Sequence, residues 1–237
     1  MDRTLFETGQ GQSVTAVTAE EMRAVDRVAV ETFGLGLLQM MENAGRNIAS
    51  HVRERGREGV TVLAGNGGNG GGGLCAARHL ANREIPVSVV LDRDPDDLDG
   101  AARSQYDTLA AMGVPVGGGP DALTDSDAAV VVDALVGYGL EGPLRGTPAD
   151  LLRAVDEDST VVSLDVPSGL NATTGERAGV VADSDSVVTL ALPKTGLAGL
   201  DADLVLADIA VPSGVYEAFD IPYANPFRDG YRVSLAE

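Results

Sequence analysis

The chain contains little of what several classes of site require. Its 237 residues include one cysteine, Cys75, and two histidines. One cysteine cannot form an internal disulfide, and this set of side chains cannot make a standard zinc site. The longest apolar runs fall far short of the roughly 18 residues of a membrane span, and the N-terminus lacks a secretory signal pattern. We therefore expect a cytoplasmic protein that does not bind membranes.

Positive charge is also scarce. The formal net charge is −19, and the acidic residues are spread along the chain. This charge repels nucleic acid, and it indicates an acidic, halophile-like surface suited to high salt. Of the 17 basic residues, all except Lys194 are arginine. Because a buried lysine, unlike arginine, can lose its proton, this single lysine indicates either a functional group or a chance survivor on the surface.

The order of apolar segments predicts one domain, residues 1–237. Thr18 and Glu21 form a capping-box pattern that begins a helix ending at Gly34, and a second helix is expected from Leu37 to about Glu54. Nearly continuous apolar runs then predict buried parallel strands. These runs are 60–65, 87–92, 129–135, 160–169, 186–192 and 203–209, with helices at about 73–84, 99–113 and 147–157. The expected fold is a three-layer αβα sandwich with a Rossmann-like, doubly wound, mostly parallel sheet.

A glycine-rich segment follows the first of these strands. Residues 65–73 contain seven glycines and two asparagines. A loop of this kind lets the backbone approach a ligand closely, and the amides and dipole of the following helix favour phosphate. We therefore expect a nucleotide-type ligand here, with a flexible loop that binds nothing as the alternative. Gly65, Gly67 and Gly70 also match a loose dinucleotide fingerprint in which Asp92 contacts a ribose.

Two aspartates end neighbouring predicted strands. Asp133 and Asp165 are expected to face the crevice at the carboxyl ends of the strands, although such residues also cap helices or bond loop amides. Together with Asn69 and Ser168 they offer hard oxygen ligands, which suit an alkali or alkaline-earth cation rather than zinc. The sequence therefore predicts a cation site and a ligand crevice at one edge of the sheet.

Five phrases follow one another along the chain: MMENAGR (40–46), GNGGNGGGGLCAARHL (65–80), VVDALVGYGLEGPLRG (131–146), LDVPSGLNATTG (164–175) and LALPKTGL (190–197). Together and in this order they resemble the NAD(P)H-hydrate epimerase family, the YjeF N-terminal domain, in its stand-alone form. The resemblance covers about residues 14 to 212. It implies an isomerase of nicotinamide nucleotide repair, which interconverts the R and S forms of hydrated NADH and NADPH, NADHX and NADPHX, at ring carbon 6. It also implies a partner dehydratase on another chain and a possible homodimer.

The resemblance also assigns roles to residues. It implies potassium ligands at Asn69, Asp133 and Ser168. It implies that Asp165 is the general acid/base at the ring hydroxyl, and that Lys194 orients it or shuttles a proton. The implied dinucleotide contacts are Gly68, Asn69, Gly70, Gly71, Gly72, Gly137, Tyr138, Gly139, Leu140, Glu141, Gly142 and Asp165.

Three positions depart from the family pattern. In the family's N-N-G-G-D-G loop, Gly68 replaces the first asparagine and Gly72 replaces the aspartate, so two polar contacts are missing. Tyr138 stands where threonine is common, and adds an aromatic surface that stacks on a base or packs. One alternative is therefore a catalytically impaired nucleotide-binding or regulatory module of the same fold. A nicotinamide-dependent dehydrogenase that uses Asp92 is a second alternative.

Overall fold

The structure is a computed structural model that describes residues 5–55, 59–124 and 128–236. Within these ranges the chain forms seven α-helices and ten strands. The helices are α1 (Ala19–Glu31), α2 (Leu37–Arg53), α3 (Gly68–Ala81), α4 (Gly100–Ala111), α5 (Asp121–Thr124), α6 (Thr147–Arg153) and α7 (Ser213–Glu217). The strands are β1 (Leu5–Thr8), β2 (Ser13–Thr15), β3 (Val60–Ala64), β4 (Val87–Leu91), β5 (Val116–Gly118), β6 (Val130–Ala134), β7 (Thr160–Leu164), β8 (Ser186–Leu190), β9 (Asp203–Ala207) and β10 (Arg232–Ala236). No helix in the described ranges has the length and apolar character that crossing a bilayer requires.

The described strands join one sheet in the order β2-β1-β10-β9-β8-β7-β6-β3-β4-β5. The seven strands from β9 to β5 run parallel, and the six predicted from continuous apolar runs are all among them. Strands β10, β1 and β2 pair antiparallel at one edge. These three strands and β5 were not predicted, because their sequences contain no continuous apolar run.

Helices cover both faces of the sheet, as the doubly wound prediction requires. Val62 and Val132 lie on one face, in the core formed with α2, α3 and α4. Leu63 and Val131 lie on the opposite face, which packs against α5 and α6. Near the antiparallel edge, the core includes apolar residues of α1 and α7. The alternation of neighbouring residues between the two faces therefore produces three layers.

The chain reverses its direction across the sheet at β3. Strand β4 lies on one side of β3 and β6 lies on the other, in both cases parallel to it. Helix α3 follows β3 on one face, whereas α6 follows β6 on the opposite face. The segments that leave the carboxyl ends of β3 and β6 therefore diverge and leave a crevice between them, where ligands bind in sheets of this type.

The predictions for α1 and α2 are confirmed at their starts. The Thr18 hydroxyl accepts from the Glu21 amide at 3.2 Å, and the Glu21 carboxylate accepts from the Thr18 amide at 2.9 Å. Helix α6 ends at Arg153, before the predicted 157. A turn at Asp156, whose carboxylate accepts from the Asp158 amide at 2.9 Å, already leads the chain into β7.

The glycine-rich segment is mostly helix, so the prediction of a loop over 65–73 is wrong beyond Gly67. Helix α3 begins at Gly68 rather than near 73. Close packing explains the glycines, because an ideal Cβ on Gly70 would lie 1.7 Å from the Gly65 carbonyl oxygen. An ideal Cβ on Gly73 would lie 2.5 Å from Ala134 Cβ. The missing side chains let α3 lie directly against the sheet.

The glycine packing predicts that Gly70→Ala destabilises the protein. The new methyl would overlap a backbone oxygen at the end of β3, so the helix would have to move away from the sheet. We expect a loss of about 3 kcal/mol or more in the free energy of unfolding, measured in urea.

Gly68→Ala is the matched control, because no atom lies within 4 Å of its ideal Cβ. Alanine there is expected to keep the stability or raise it by about 0.5–1 kcal/mol. Equal losses in the two variants would contradict the packing explanation.

Candidate functional site

A cleft of 520 Å³ opens at the crevice between the ends of β3 and β6. Its walls include residues 66–69 after β3, residues 135–139 after β6, and Asp165 directly after β7. Side chains of α1 and α2 close the remaining side. The volume lies within the range of about 300–1,000 Å³ that is usual for small-molecule and cofactor sites.

The start of α3 lies at this cleft. The amide of Gly71 donates to the carbonyl of Gly67 at 3.0 Å, so the amides of residues 68–70 precede the intrahelical bonds. The N-cap, Gly67, provides no side-chain hydrogen bond, and the first turn contains no acidic residue. Uncapped amides and the positive end of the helix dipole favour an anionic group such as phosphate.

The predicted dinucleotide contacts divide into two groups. Those that line the cleft are Gly68, Asn69, Gly137, Tyr138, Gly139 and Asp165. Those that lie outside its lining are Gly70, Gly71 and Gly72, which are buried in α3, and Leu140, Glu141 and Gly142, which follow along the loop after β6. The buried glycines therefore shape the packing behind the cleft.

Gly72 faces the interior of the protein. An ideal Cβ there would lie 2.8 Å from Leu164 Cδ2 and 3.8 Å from Ala44 Cβ, and both of these residues are buried. Gly68 is exposed, and its ideal Cβ meets nothing within 4 Å. A Cβ at either position would therefore not contact Asp165.

Asp165 and Lys194 form a buried ion pair at the end of β7. Lys194 Nζ contacts Asp165 Oδ1, and the two side chains are only 1% and 5% exposed. Lys194 Nζ also donates to the Leu190 carbonyl at 2.9 Å, and the Leu190 amide donates to Asp165 Oδ1 at 3.2 Å. In the part of the chain that the structure describes, no hydrogen bond reaches Asp165 Oδ2. The single lysine is therefore the buried partner of a carboxylate, and the alternative that it was retained by chance on the surface is wrong.

The backbone of Asp165 is left-handed, with a φ of 70°. This conformation costs a residue other than glycine roughly 1–2 kcal/mol. The Asp165 amide donates to the Val188 carbonyl at 2.8 Å, which fixes the turn. Its Oδ2 lies 3.3 Å from the position of an ideal Cβ on Gly137, so the carboxylate is directed at the loop after β6. Strained residues that carry buried charges are typical of functional sites.

Asp133 is a fully buried carboxylate with neutral donors around it. It accepts from the Ser168 amide and the Ser163 hydroxyl, both at 2.8 Å, from the Ser168 hydroxyl at 2.6 Å, and from the Leu135 amide at 3.3 Å. Burial raises the pKa of Asp133, and no basic side chain of the described ranges pairs with it. A nearby cation would stabilise this buried charge.

Asn69 contributes a buried polar atom without a partner. Its Nδ2 is buried and has no hydrogen bond within the described ranges. Its Oδ1 lies 3.2 Å from the position of an ideal Cβ on Gly137, close to Asp165 Oδ2. The Ser168 hydroxyl bonds Asp133 and the Val136 amide, one residue before Gly137, so the ligand atoms that these side chains offer are oxygens. This chemistry fits a hard cation such as potassium.

Asp92 lines the cleft but already has a partner. Its two carboxylate oxygens accept from Arg93 Nε at 2.8 Å and from Arg93 Nη2 at 3.0 Å. A ribose hydroxyl at this carboxylate would compete with a two-pronged charged interaction. The contact on which the dehydrogenase alternative depends is therefore not free.

A second group of possible metal ligands lies between α2 and α3. Donor atoms of Glu42, Cys75 and His79 lie within 4.8 Å of one another. The Arg78 guanidinium contacts the Glu42 carboxylate, and burial raises the pKa of the Cys75 thiol to about 12. A cation would have to displace the arginine and deprotonate the thiol, so these residues form an ion-pair cluster that joins the two helices.

Helices α1 and α2 contribute cleft residues that were not predicted from the sequence. The hydroxyl of Tyr138 donates to Asp26 Oδ2 on α1 at 2.5 Å. The signal for Asp26 was weak, because it lies one turn after the buried Met22, beside the apolar stripe of the helix, where surface carboxylates also occur. The cleft residues from these two helices are Arg23, Asp26, Leu37, Met40, Met41 and Ala44.

Several known proteins are similar to this chain in sequence. The family model described as "YjeF-related protein N-terminus" matches residues 37–196. The NAD(P)H-hydrate epimerase of Dehalogenimonas lykanthroporepellens is 41% identical over 240 residues, which cover 97% of this chain and 96% of that protein. The bifunctional NAD(P)H-hydrate repair enzyme Nnr of Hyperthermus butylicus is 39% identical, and the match covers 95% of this chain but 42% of that protein.

A solved structure has the same fold. The crystal structure of the yeast protein ynu0 matches 94% of this chain and 100% of its own, with a TM-score of 0.80. The sequence identity between the two is 22%, so this likeness concerns the arrangement of helices and strands.

The buried ion pair predicts a large effect when one partner is removed. Lys194→Met leaves the Asp165 carboxylate buried without its counter-charge, and we expect a loss of about 3–5 kcal/mol in the free energy of unfolding. The double variant Asp165→Asn/Lys194→Met removes both charges and should recover most of that loss. Urea unfolding of the two single variants and the double variant measures the coupling.

Arg103→Met is the control, because Arg103 pairs with Asp107 at 2.7 Å on the surface. Its loss should stay below about 1 kcal/mol. A Lys194→Met variant as stable as this control would show that the ion pair contributes little.

Proposed function

The chain belongs to the YjeF-related N-terminal family, and from this premise we propose that it is an isomerase that epimerises hydrated NADH and NADPH. The R and S forms of NADHX and NADPHX are its substrates and products, and the reaction serves nicotinamide nucleotide repair. The observation that carries the proposal is the Asp165 carboxylate in the lining of the cleft, which Lys194 holds through Oδ1 while Oδ2 is directed at Gly137. This arrangement supplies a fixed proton acceptor and donor at the end of a binding crevice.

Asp165 acts on the hydroxyl of ring carbon 6. Its Oδ2 exchanges a proton with that hydroxyl, whereas Oδ1 stays bonded to Lys194 and to the Leu190 amide. Lys194 and the left-handed turn fix the direction of the carboxylate, so little reorganisation is needed when the substrate binds. The burial of both side chains keeps water away from the proton that moves.

The anionic part of the dinucleotide requires local positive charge, because the whole chain carries a net charge of −19. The free amides at the start of α3 provide it, together with Arg23 in the lining of the cleft. The pyrophosphate therefore lies at the start of α3, which leaves the nicotinamide ring to reach Asp165.

Asn69, Asp133 and Ser168 would hold a potassium ion behind the cleft. The ion would supply a positive charge that compensates the buried Asp133 carboxylate and fixes the segments after β3 and β6 relative to each other. Asn69 would contribute its amide oxygen. The Ser168 hydroxyl already connects two of the segments, because it donates to Asp133 and accepts from the Val136 amide at 2.9 Å.

An epimerisation assay tests the proposed function. The protein is mixed with the R form of NADHX in potassium buffer, and the S form is followed by chromatography. We expect conversion above the spontaneous rate. Asp165→Asn should lower kcat by on the order of 100-fold or more, because the amide cannot accept the proton. Calorimetry should show that the variant still binds the ligand.

Asp107→Asn is the matched control, since Asp107 lies on α4 and pairs with Arg103 on the surface. Its activity should equal that of the wild type. Binding without conversion by the wild type would instead favour the catalytically impaired module. Transfer of hydride to an added alcohol would favour the dehydrogenase.

The cation site predicts a stabilisation specific to potassium. Potassium chloride should raise the Tm of the dialysed protein more than tetramethylammonium chloride at the same ionic strength, because both salts screen the surface but only potassium fits the oxygen donors. Asn69→Ala should remove this difference. Asn66→Ala, which removes a side chain that accepts from the Asp99 amide at 2.9 Å, should retain it. Equal Tm values in the two salts for the wild type would count against the site.

A further inference from the structure

Asp26 is an acidic side chain of the cleft that takes no part in the steps above. It lies on α1 and accepts from the Tyr138 hydroxyl at 2.5 Å. The ring of Tyr138 has its centroid 5.7 Å from Lys194 Nζ, and Lys194 contacts Asp165. A continuous series of contacts therefore connects Asp26 with the Asp165 carboxylate along the wall of the cleft.

The surroundings of Asp26 favour its protonated form. Burial raises the pKa of Asp26, although the hydrogen bond from Tyr138 and the charge of Lys194 oppose this effect. Burial also raises the pKa of Tyr138, so its hydroxyl keeps a proton. The titratable or charged groups around Asp26 and Tyr138 are Lys194, Asp165, Arg23 and Tyr216.

The proposed reaction requires two proton transfers at different atoms. Carbon 6 of the hydrate is bonded to the hydroxyl oxygen and to the ring nitrogen, so opening of the ring removes its configuration. When Asp165 takes the hydroxyl proton, the O–H electron pair forms the second carbon–oxygen bond. The carbon–nitrogen pair then moves onto nitrogen, which takes a proton. Rotation and ring closure in the reverse order give the other epimer and restore both protons.

Asp165 offers one atom to the substrate. Its Oδ1 is occupied by Lys194 and the Leu190 amide, so only Oδ2 is left. A second group that donates to nitrogen lets the carbon–nitrogen bond break while Oδ2 still holds the proton from the hydroxyl. Tyr138 lines the same cleft and carries a hydroxyl proton next to a second carboxyl group.

We propose that Tyr138 is the second proton-transfer residue of this site, and that Asp26 is the positioning residue that holds Tyr138 and replaces its proton. The inference rests on the proposed epimerase function. Tyr138 gives its proton to the ring nitrogen when the ring opens and takes it back when the ring closes. Asp26 acts through Tyr138 and does not touch the substrate.

Tyr138→Phe tests the proton transfer in the epimerisation assay. It removes the hydroxyl and keeps the ring near Lys194. We expect kcat to fall by on the order of 100-fold, while KM changes by less than about threefold. Tyr106→Phe is the matched control, because Tyr106 lies on α4 against Arg103. Melting curves establish that each variant is folded.

Asp26→Asn tests the positioning role with a readout that packing alone would not change. The amide oxygen can still accept from Tyr138, but the side chain can no longer pass on a proton. We expect kcat to fall by about 10- to 100-fold. Because burial raises the pKa of Asp26, we also expect kcat of the wild type to fall as the pH rises through that pKa, and this fall to disappear in the variant.

The outcomes separate this inference from the proposed function. Wild type that epimerises while Tyr138→Phe retains its kcat within about threefold would overturn the inference alone. A rise in KM without a fall in kcat, or an unchanged pH profile in Asp26→Asn, would also overturn it, because both outcomes indicate binding or packing. Wild type that does not epimerise would overturn the proposed function and the inference with it.

Discussion

The ion pair between Asp165 and Lys194 is the interaction on which the rest of the site depends. Two charges buried at the end of β7 are stable only while they face each other and neighbouring backbone groups. The loop that carries Lys194 is fixed in turn by Val17, whose carbonyl accepts from the Thr195 amide at 2.9 Å and whose amide donates to the Pro193 carbonyl at 2.9 Å. Since Val17 directly precedes α1, the same contacts place Asp26 beside the cleft.

The part of the fold that could be predicted from the sequence consists of the strands that are buried on both faces. Central strands such as β6 and β7 are covered on both faces, so their sequences are nearly unbroken apolar runs, and the parallel sheet follows from them. The edge strands β1, β2 and β10 pair antiparallel and mix polar with apolar residues, which leaves no such run. Helix α3 was misplaced for the opposite reason, because glycines that suit a loop also allow a helix to lie directly on a sheet.

The site residues that could be predicted were those whose type or position differed from the rest of the sequence. Lys194 was marked by being the only lysine, and Asp133 and Asp165 were marked by ending apolar runs. Asp26 was missed because one carboxylate on an amphipathic helix resembles any surface residue. What distinguishes it is the contact with Tyr138, which lies 112 positions away in the sequence, and periodicity carries no information about contacts at that separation.

The geometry at Gly72 bears on whether the departures from the family loop weaken catalysis. The side chain missing there would point towards Leu164 and Ala44, and it would displace apolar atoms on the side of α3 that packs against the sheet. A group that exchanges protons with a ligand has to reach the cleft, and Asp165, Asp26 and Tyr138 are among the residues that line it. Gly72 therefore changes the packing between α3 and β7, while the groups that can handle protons stay in place.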